Sequence, residues 1–186
     1  ANTPISLLGA VFQMVAHGLI SALLFLLVGI VYRKTGTRDL KVLHGLLSPE
    51  KGLPLTGTLM ILAVMASAGL PGMAGVISEF LVFRGSIAAF PVATLLSMVG
   101  SGLTAVYFLL LVNRAFFGRL SITPDSDDPI KDARLDVQLA PVAPRETYPA
   151  IALAAAIVAL GLLPFGLSYL SETSITALAL QSMGVS

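Results

Sequence analysis

Long apolar stretches that alternate with short polar connectors form the main pattern of this chain. A membrane-crossing helix needs about 20 consecutive apolar residues, and these stretches reach that length. The pattern predicts spans over residues 5–33, 55–90, 92–113 and 149–170, with a surface linker over residues 114–148. We therefore expect an all-α fold, a polytopic transmembrane helix bundle of about four spans that forms a single membrane domain over residues 1–186.

The second stretch is too long for one straight crossing. A helix over residues 55–90 would extend about 54 Å, whereas the hydrocarbon core of a bilayer is about 30 Å thick. Glycine and proline weaken helices, and this stretch holds Gly69, Pro71, Gly72 and Gly75. We predict a helix break at residues 69–75, which leaves half-helices over about 56–68 and 74–89 in a single discontinuous span.

Glu79 is the one carboxylate inside a predicted span, and it follows the break closely. A charge in hydrocarbon costs several kcal/mol, and irregular backbone is tolerated there only where protein or water surrounds it. A broken helix near such an acid is typical of ion paths in transporters. Glu79 is therefore a candidate proton relay, the alternative being a structural acid paired with a basic residue of a neighbouring helix or subunit. No predicted span contains a lysine, so such a partner would come from elsewhere.

A polar face runs through the first predicted span. Gln13, His17 and Ser21 recur every four residues, so they lie on one side of the helix. We interpret His17 as a second member of the relay, with Gln13, Ser21 and Ser78 as a supporting polar path. The alternative for His17 is an interhelical hydrogen bond without proton transfer.

The third predicted span carries a second polar face. Ser97, Ser101 and Thr104 are spaced by four and three residues along it. Small hydroxylated residues commonly pack membrane helices together. We interpret this face as packing rather than as part of the relay.

The composition excludes several other functions. Only 11% of the residues are charged, against about 25% in soluble domains, and there is no cysteine to build a thiolate metal or iron–sulfur site. The sequence has no nucleophile elbow, phosphate loop, dinucleotide fingerprint or metal-ligand cluster. We therefore expect no metal site, no cofactor and no redox active site in this chain, and no nucleic-acid partner.

The basic residues predict an orientation in the membrane. Of the 11 lysines and arginines, all but Arg84 lie in the connectors 33–54 and 114–148. Connectors rich in lysine and arginine stay on the cytoplasmic side. We expect both connectors on the cytoplasmic or stromal-like side.

Three segments together resemble a known family: Gly69-Leu70-Pro71-Gly72 with Ser78-Glu79-Phe80, then Ala16-His17-Gly18-Leu19-Ile20-Ser21-Ala22, and Thr37-Arg38-Asp39-Leu40. They resemble the antiporter-like membrane subunits of respiratory complex I and NDH-1, over about residues 5–118 and most closely the subunit 4 type. Segments 79–85 and 113–118 are similar to the photosynthetic NDH-1 type and to its carbon-dioxide-uptake variant.

The resemblance implies a fold of about fourteen helices in two inverted repeats, of which this chain is the C-terminal part. It implies that the acid at Glu79 ends a buried hydrophilic axis and exchanges protons with one side of the membrane, and that His17 lies along that axis. The family's essential lysines would lie in the N-terminal part. The implied partners are lipid and other membrane-arm subunits, and quinone, flavin and iron–sulfur centres would belong to those subunits.

The expected function is that of a proton-translocating subunit of a quinone oxidoreductase in a thylakoid or bacterial inner membrane. Two alternatives remain. The first is a subunit of an Mrp-type monovalent cation/proton antiporter, which shares the fold. The second is a structural anchor that joins membrane-arm subunits and has lost transport.

Overall fold

The computed structural model describes residues 3–122, 139–166 and 169, and it is mostly helical within them. The elements in chain order are α1 (Pro4–Thr35), β1 (Leu43–His44), α2 (Pro54–Ser67), α3 (Ala74–Ser86), α4 (Pro91–Phe116), β2 (Ser121–Ile122) and α5 (Pro144–Leu162). Among the described residues, α1, α4 and α5 are long and apolar enough to cross a membrane, whereas α2 and α3 are shorter. The predicted all-α membrane fold is confirmed.

The predicted discontinuous span consists of two helices with residues 68–73 between them. The prediction placed Gly75 in the break, which is wrong, because α3 has already begun at Ala74. Gly75 is buried, and a side chain at this position would collide with the Ala66 carbonyl oxygen. The glycine therefore allows the end of α2 and the first turn of α3 to approach closely.

The bounds predicted for the last span, 149–170, differ from those of α5 at both ends. Proline is favoured in the first turn of a helix, and α5 begins at Pro144 rather than at Pro149. It ends at Leu162, shortly before Pro164, which has no N–H group to continue the helix. The first and third spans correspond to α1 and α4, each slightly longer than predicted at both ends.

The chain divides into two compact units. The first unit contains residues 1–21, 65–106 and 155–186, which include the break and α3. The second contains residues 22–64 and 107–154, which include both strands.

In the first unit, the beginning of α1 packs closely against α3 through glycines. A Cβ atom on Gly85 would lie 2.5 Å from Ser6 N, and one on Gly9 would lie 2.7 Å from Val82 N. The Thr3 hydroxyl, next to the start of α1, also donates a hydrogen bond to the Gly85 carbonyl at 3.0 Å. Small residues allow this backbone approach, which supplies much of the packing between membrane helices.

In the second unit, the connectors that flank the helices pack against each other. Strands β1 and β2 pair antiparallel, with Leu43 opposite Ile122. Arg33, near the end of α1, forms an ion pair with Glu146 in the first turn of α5. Glu146 is only 7% exposed. A negatively charged side chain in the first turn also stabilises a helix, because it interacts favourably with the helix dipole.

The predicted surface linker over residues 114–148 is partly structured. It starts within α4 and ends within α5. Leu139 is buried, and its N–H group donates to the Lys51 carbonyl at 2.9 Å. Residues 123–138 of the linker lie outside the described part of the chain.

The glycine packing of α3 leads to a stability prediction. We expect Gly85→Ala to lower the free energy of unfolding by about 1–3 kcal/mol, because the added methyl group overpacks against the Ser6 backbone. The measurement is chemical unfolding of the detergent-solubilised protein followed by circular dichroism.

Gly100→Ala is the matched control, because Gly100 lies in α4 with nothing within 4 Å of the added atom. This variant should be neutral or slightly more stable, since alanine favours helix over glycine by about 0.5–1 kcal/mol. Equal stability of the two variants would contradict the close contact between α1 and α3.

Candidate functional site

The break between α2 and α3 is closed by two backbone hydrogen bonds. Gly69 has a φ of +79°, and the Leu70 N–H donates to the Met65 carbonyl at 3.0 Å, which is the pattern of a Schellman helix end. Pro71 and Gly72 then form a turn in which Gly72 has a φ of +89° and Met73 N–H donates to the Leu70 carbonyl at 3.1 Å. Proline followed by a glycine of positive φ is typical of a type II turn. The break is thus a defined structure that redirects the chain into α3.

Helix α3 directs two consecutive polar side chains to different neighbours, because successive residues of a helix point about 100° apart. Ser78 is 0% exposed, and its hydroxyl hydrogen-bonds with the side-chain amide of Gln13 on α1. The same hydroxyl oxygen lies 2.7 Å from the Gly75 carbonyl oxygen of its own helix. Ser78 therefore connects α3 to the polar face of α1.

Glu79 points towards α4 instead. The Ser101 hydroxyl donates a hydrogen bond to Glu79 Oε2 at 2.9 Å. The same oxygen lies beside the break, since a Cβ atom on Gly69 would be 3.3 Å from it. The half-buried carboxylate thus lies between Gly69 in the break and Ser101 in the middle of α4.

His17 has a different hydrogen-bond partner from this carboxylate. The ring of His17 is exposed, and its Nε2 atom shares a hydrogen bond with the Ser21 hydroxyl at 3.2 Å. Within the described residues, His17 makes no hydrogen bond with Glu79 or Ser78. The structure brings the predicted polar residues together as two contacts, one between His17 and Ser21 and one between Gln13 and Ser78.

Ser101 makes a contact with Glu79 that the sequence analysis did not predict. The hydroxyls of Ser97 and Thr104 donate to carbonyls of their own helix, at 2.9 Å and 3.1 Å, whereas Ser101 reaches across to Glu79. The sequence analysis interpreted all three as packing residues, and Ser101 is the one whose hydrogen bond joins two helices. A signal was present, because a short turn makes α3 and α4 antiparallel neighbours, and Glu79 precedes Phe90 by as many residues as Ser101 follows it.

An open groove of about 190 Å³ lies between α3 and α4, and its residues Phe90, Ala93 and Ser97 are exposed. Three hydroxylated residues, Ser86, Thr94 and Ser97, line it among apolar side chains that include Phe83 and Phe90. The lining residues extend from near the contact of Glu79 with Ser101 to Phe90 in the turn that joins the two helices.

In the described part of the chain, no three histidine or carboxylate side chains are grouped so that they could hold a metal ion. The chemistry that the site itself offers is proton transfer and hydrogen bonding. The carboxyl group of Glu79 and the imidazole of His17 are side chains of the types that serve as proton donors and acceptors in proteins.

Comparison with known proteins gives consistent matches over most of the chain. The model of the family described as "NADH:quinone oxidoreductase/Mrp antiporter, TM" matches residues 1–104. NAD(P)H-quinone oxidoreductase chain 4 1 of Synechococcus elongatus is 36% identical over 97% of this chain. NADH-quinone oxidoreductase subunit M of Escherichia coli is 40% identical over 60% of it. The chain spans 32% and 21% of the length of these two curated relatives, respectively.

Solved structures share the fold. A chain of respiratory complex I from Thermus thermophilus with bound NADH matches with a TM-score of 0.81 and 24% identity, over 96% of this chain and 34% of that one. A chain of the Mrp complex from a Dietzia species matches with a TM-score of 0.72 and 24% identity, over 96% of this chain and 38% of that one.

The contact between Ser101 and Glu79 can be measured by a double-mutant cycle. We expect Ser101→Ala and Glu79→Ala to show a coupling energy of about 0.5–1.5 kcal/mol, as polar contacts between membrane helices do. The measurement is the free energy of unfolding of the wild type, both single variants and the double variant in detergent.

Ser97→Ala combined with Glu79→Ala is the control cycle, because Ser97 donates to its own helix. Its coupling energy should be close to zero. If the two cycles gave the same coupling energy, Ser101 would have no specific contact with the carboxylate.

Proposed function

The chain belongs to the family of NADH:quinone oxidoreductase and Mrp antiporter membrane subunits, and we propose that it is the C-terminal part of a proton-translocating subunit of an NDH-1-type quinone oxidoreductase. Two relatives with 36% and 40% identity carry the names of quinone oxidoreductase subunits, which supports this member of the family over the antiporter. The redox reaction itself, with quinone and any flavin or iron–sulfur centres, would take place on partner subunits.

The single observation that carries the relay is the position of the Glu79 carboxylate. It lies at a helix break inside an apolar stretch, and Ser101 holds one of its oxygens. A carboxyl group in this position can accept a proton from one side and release it to the other, provided that water reaches it. The break supports this role because it interrupts the regular helix next to the carboxylate, as broken helices do at ion sites in transporters.

His17 and Gln13 are proposed as the earlier part of the path. The contact of Gln13 with buried Ser78 brings the polar face of α1 to the residue next to Glu79. His17 is one helical turn further along that face and bonded to Ser21. Because no hydrogen bond joins His17 to Glu79 among the described residues, we propose that bound water or the remainder of the subunit completes the path between them.

The orientation follows from the basic connectors. We place α2 and α3 together as one crossing, so that the connector after α1 and the connector after α4 share a side. These connectors carry nearly all of the lysines and arginines, which favours the cytoplasmic or stromal side. The turn between α3 and α4 would then lie on the opposite side of a thylakoid or bacterial inner membrane, with membrane-arm subunits as partners.

An Mrp-type cation/proton antiporter subunit is the second candidate, because the family description includes it and its fold matches over the same 96% of the chain. Cellular partners distinguish the two. Co-purification of the full-length subunit with quinone-reductase subunits supports the first candidate. Co-purification with antiporter subunits alone supports the second.

Replacement of the relay carboxylate tests the proposal. In the full-length subunit, within the assembled complex, we expect Glu79→Gln to lower quinone-coupled proton translocation at least about tenfold, since positioned proton-transfer groups contribute about 10²–10⁴ in rate. The measurement is the initial rate of proton uptake into proteoliposomes, with quinone reduction recorded in parallel.

Glu50→Gln is the matched control, because Glu50 is exposed in the connector before α2. It should leave translocation unchanged. Normal assembly of the Glu79→Gln complex with normal translocation would contradict the relay and favour the structural anchor.

A further inference from the structure

The end of α1 and the start of α5 meet within the second unit. The Arg33 side chain forms its ion pair with Glu146, which lies in the first turn of α5. The Lys34 ammonium group donates a hydrogen bond to the Pro141 carbonyl at 2.8 Å, just before that helix begins. The basic residues at the end of α1 therefore lie beside the N-terminus of α5, and this place is called the α1–α5 junction below.

Basic residues outnumber acidic residues at the α1–α5 junction. Its two acids are both partly occupied. Glu146 is buried and paired with Arg33, and one oxygen of exposed Asp39 accepts a hydrogen bond from the Lys41 N–H at 2.9 Å. Against these two acids, residues 33–39 and 144–148 contain four basic residues, Arg33, Lys34, Arg38 and Arg145. The junction therefore attracts anions.

The guanidinium groups of the junction have most of their hydrogen-bond donors unused. Each such group carries five N–H donors. Within the described residues, Arg33 uses only its Nη1 atom, on Glu146, and its side chain is 61% exposed. The Cζ atom of Arg38 lies over the ring of Tyr32, 4.6 Å from the ring centroid. Arg145 is exposed and has no acceptor among the described residues. Three planar forks of donors are thus available to a ligand.

An apolar face of α1 leads from the junction into the membrane span. Phe25, Gly29 and Tyr32 follow one another at spacings of four and three residues, so they lie on one face. The rings of Phe25 and Tyr32 are 77% and 46% exposed, and nothing lies within 4 Å of a Cβ atom built on Gly29. Tyr148 of α5 is 70% exposed. Tyrosines are enriched at the membrane–water interface, so the face has a gap between two rings directly below the headgroup level.

We infer that the α1–α5 junction binds the headgroup of an anionic phospholipid, with an acyl chain along the face of α1 at Gly29. Guanidinium groups match the oxygens of a phosphate in a bidentate arrangement, and basic pockets between membrane helices bind lipid headgroups. Glu146 is a positioning residue, since it holds Arg33 at the junction. The site goes beyond the proposed function and does not involve Glu79. The competing occupant is an acidic partner subunit, which would satisfy the arginines but leaves the apolar face below them without a role.

Lipid binding is measured by native mass spectrometry of the full-length, delipidated subunit in detergent. The protein is titrated with phosphatidylglycerol and, separately, with phosphatidylcholine that has the same acyl chains and no net charge. We expect phosphatidylglycerol to bind at least about tenfold more tightly, because each basic residue close to an anionic headgroup contributes to binding. Equal affinity for the two lipids would overturn the inference.

Arg38→Gln combined with Arg145→Gln removes two cations of the junction and leaves the ion pair of Arg33 intact. We expect phosphatidylglycerol to bind this variant at least about tenfold more weakly. Arg114→Gln combined with Arg119→Gln is the matched control, because both residues are exposed in the same unit and the charge removed is the same. This control should bind lipid like the wild type. Equal losses in the two variants would indicate attraction to the whole basic side and would overturn the assignment to the junction.

Gly29→Leu tests the apolar part of the site, because the added side chain fills the gap between the two rings. It should weaken binding of phosphatidylglycerol, whereas Gly102→Leu, at an equally open position of α4, should not. Circular dichroism checks that the variants fold. If Gly29→Leu had no effect and inorganic phosphate displaced the lipid, the site would take a free phosphate and the lipid assignment would be wrong. The inference would also fail if the variant lacking Arg38 and Arg145 bound lipid normally but no longer assembled with partner subunits, since an acidic protein would then be the occupant.

Discussion

Inside hydrocarbon, every backbone N–H and C=O group must be hydrogen-bonded by the protein or by trapped water. The break between α2 and α3 meets part of this requirement with two backbone hydrogen bonds of its own. The Schellman end bonds Leu70 to Met65, and the following turn bonds Met73 to Leu70. Both arrangements need a residue with positive φ, which Gly69 and Gly72 provide. The direction of α3, and with it the position of every polar side chain that α3 carries, depends on this closure.

The short helix that results is held by its neighbours. An isolated helix of this length is marginally stable, so tertiary contacts must fix α3 in place. The glycine contacts with α1 bring the two backbones together at Gly9 and Gly85, and Gly75 packs against the end of α2. With α3 fixed in this way, Ser78 meets α1 and Glu79 meets α4. The polar contacts are a consequence of helix packing that small residues make possible.

The sequence predicted the features that depend on local chemistry. Apolar length predicted the membrane helices, and the glycines and the proline predicted the interruption before Glu79. The start and end of α5 also have local signals, at Pro144 and Pro164, but the prediction gave weight to Pro149 alone. The prediction extended the break to Gly75, which lies in α3. Glycine is needed there because a side chain would collide with Ala66, and not because the backbone turns.

Contacts between residues far apart in sequence were beyond local patterns. Arg33 and Glu146 form an ion pair across more than a hundred residues, and nothing in either segment indicates the other. The partner of Glu79 was nearer, since the short turn after α3 restricts which residues of α4 can face it. The turn gives the approximate register, but the rotation of α4 about its axis decides whether Ser101 or a neighbour points at the carboxylate. That rotation is set by packing.

The hydroxylated face of α4 shows why packing and proton transfer are not exclusive interpretations of the same residues. A serine or threonine that donates to its own helix has satisfied its hydrogen in hydrocarbon, so such a face is tolerated when it is dry. The acceptor side of each hydroxyl remains available, so the same face also accepts water wherever a cavity adjoins it. Glu79 lies at the end of this face, where it accepts a hydrogen bond from Ser101. One hydroxyl at 2.9 Å only partly satisfies the two oxygens of a carboxyl group in an apolar span, so further polar groups close to Glu79 would stabilise it. The groove between α3 and α4 begins about one helical turn from the carboxylate, and Thr94 and Ser97 on its wall are the next hydroxyls along α4.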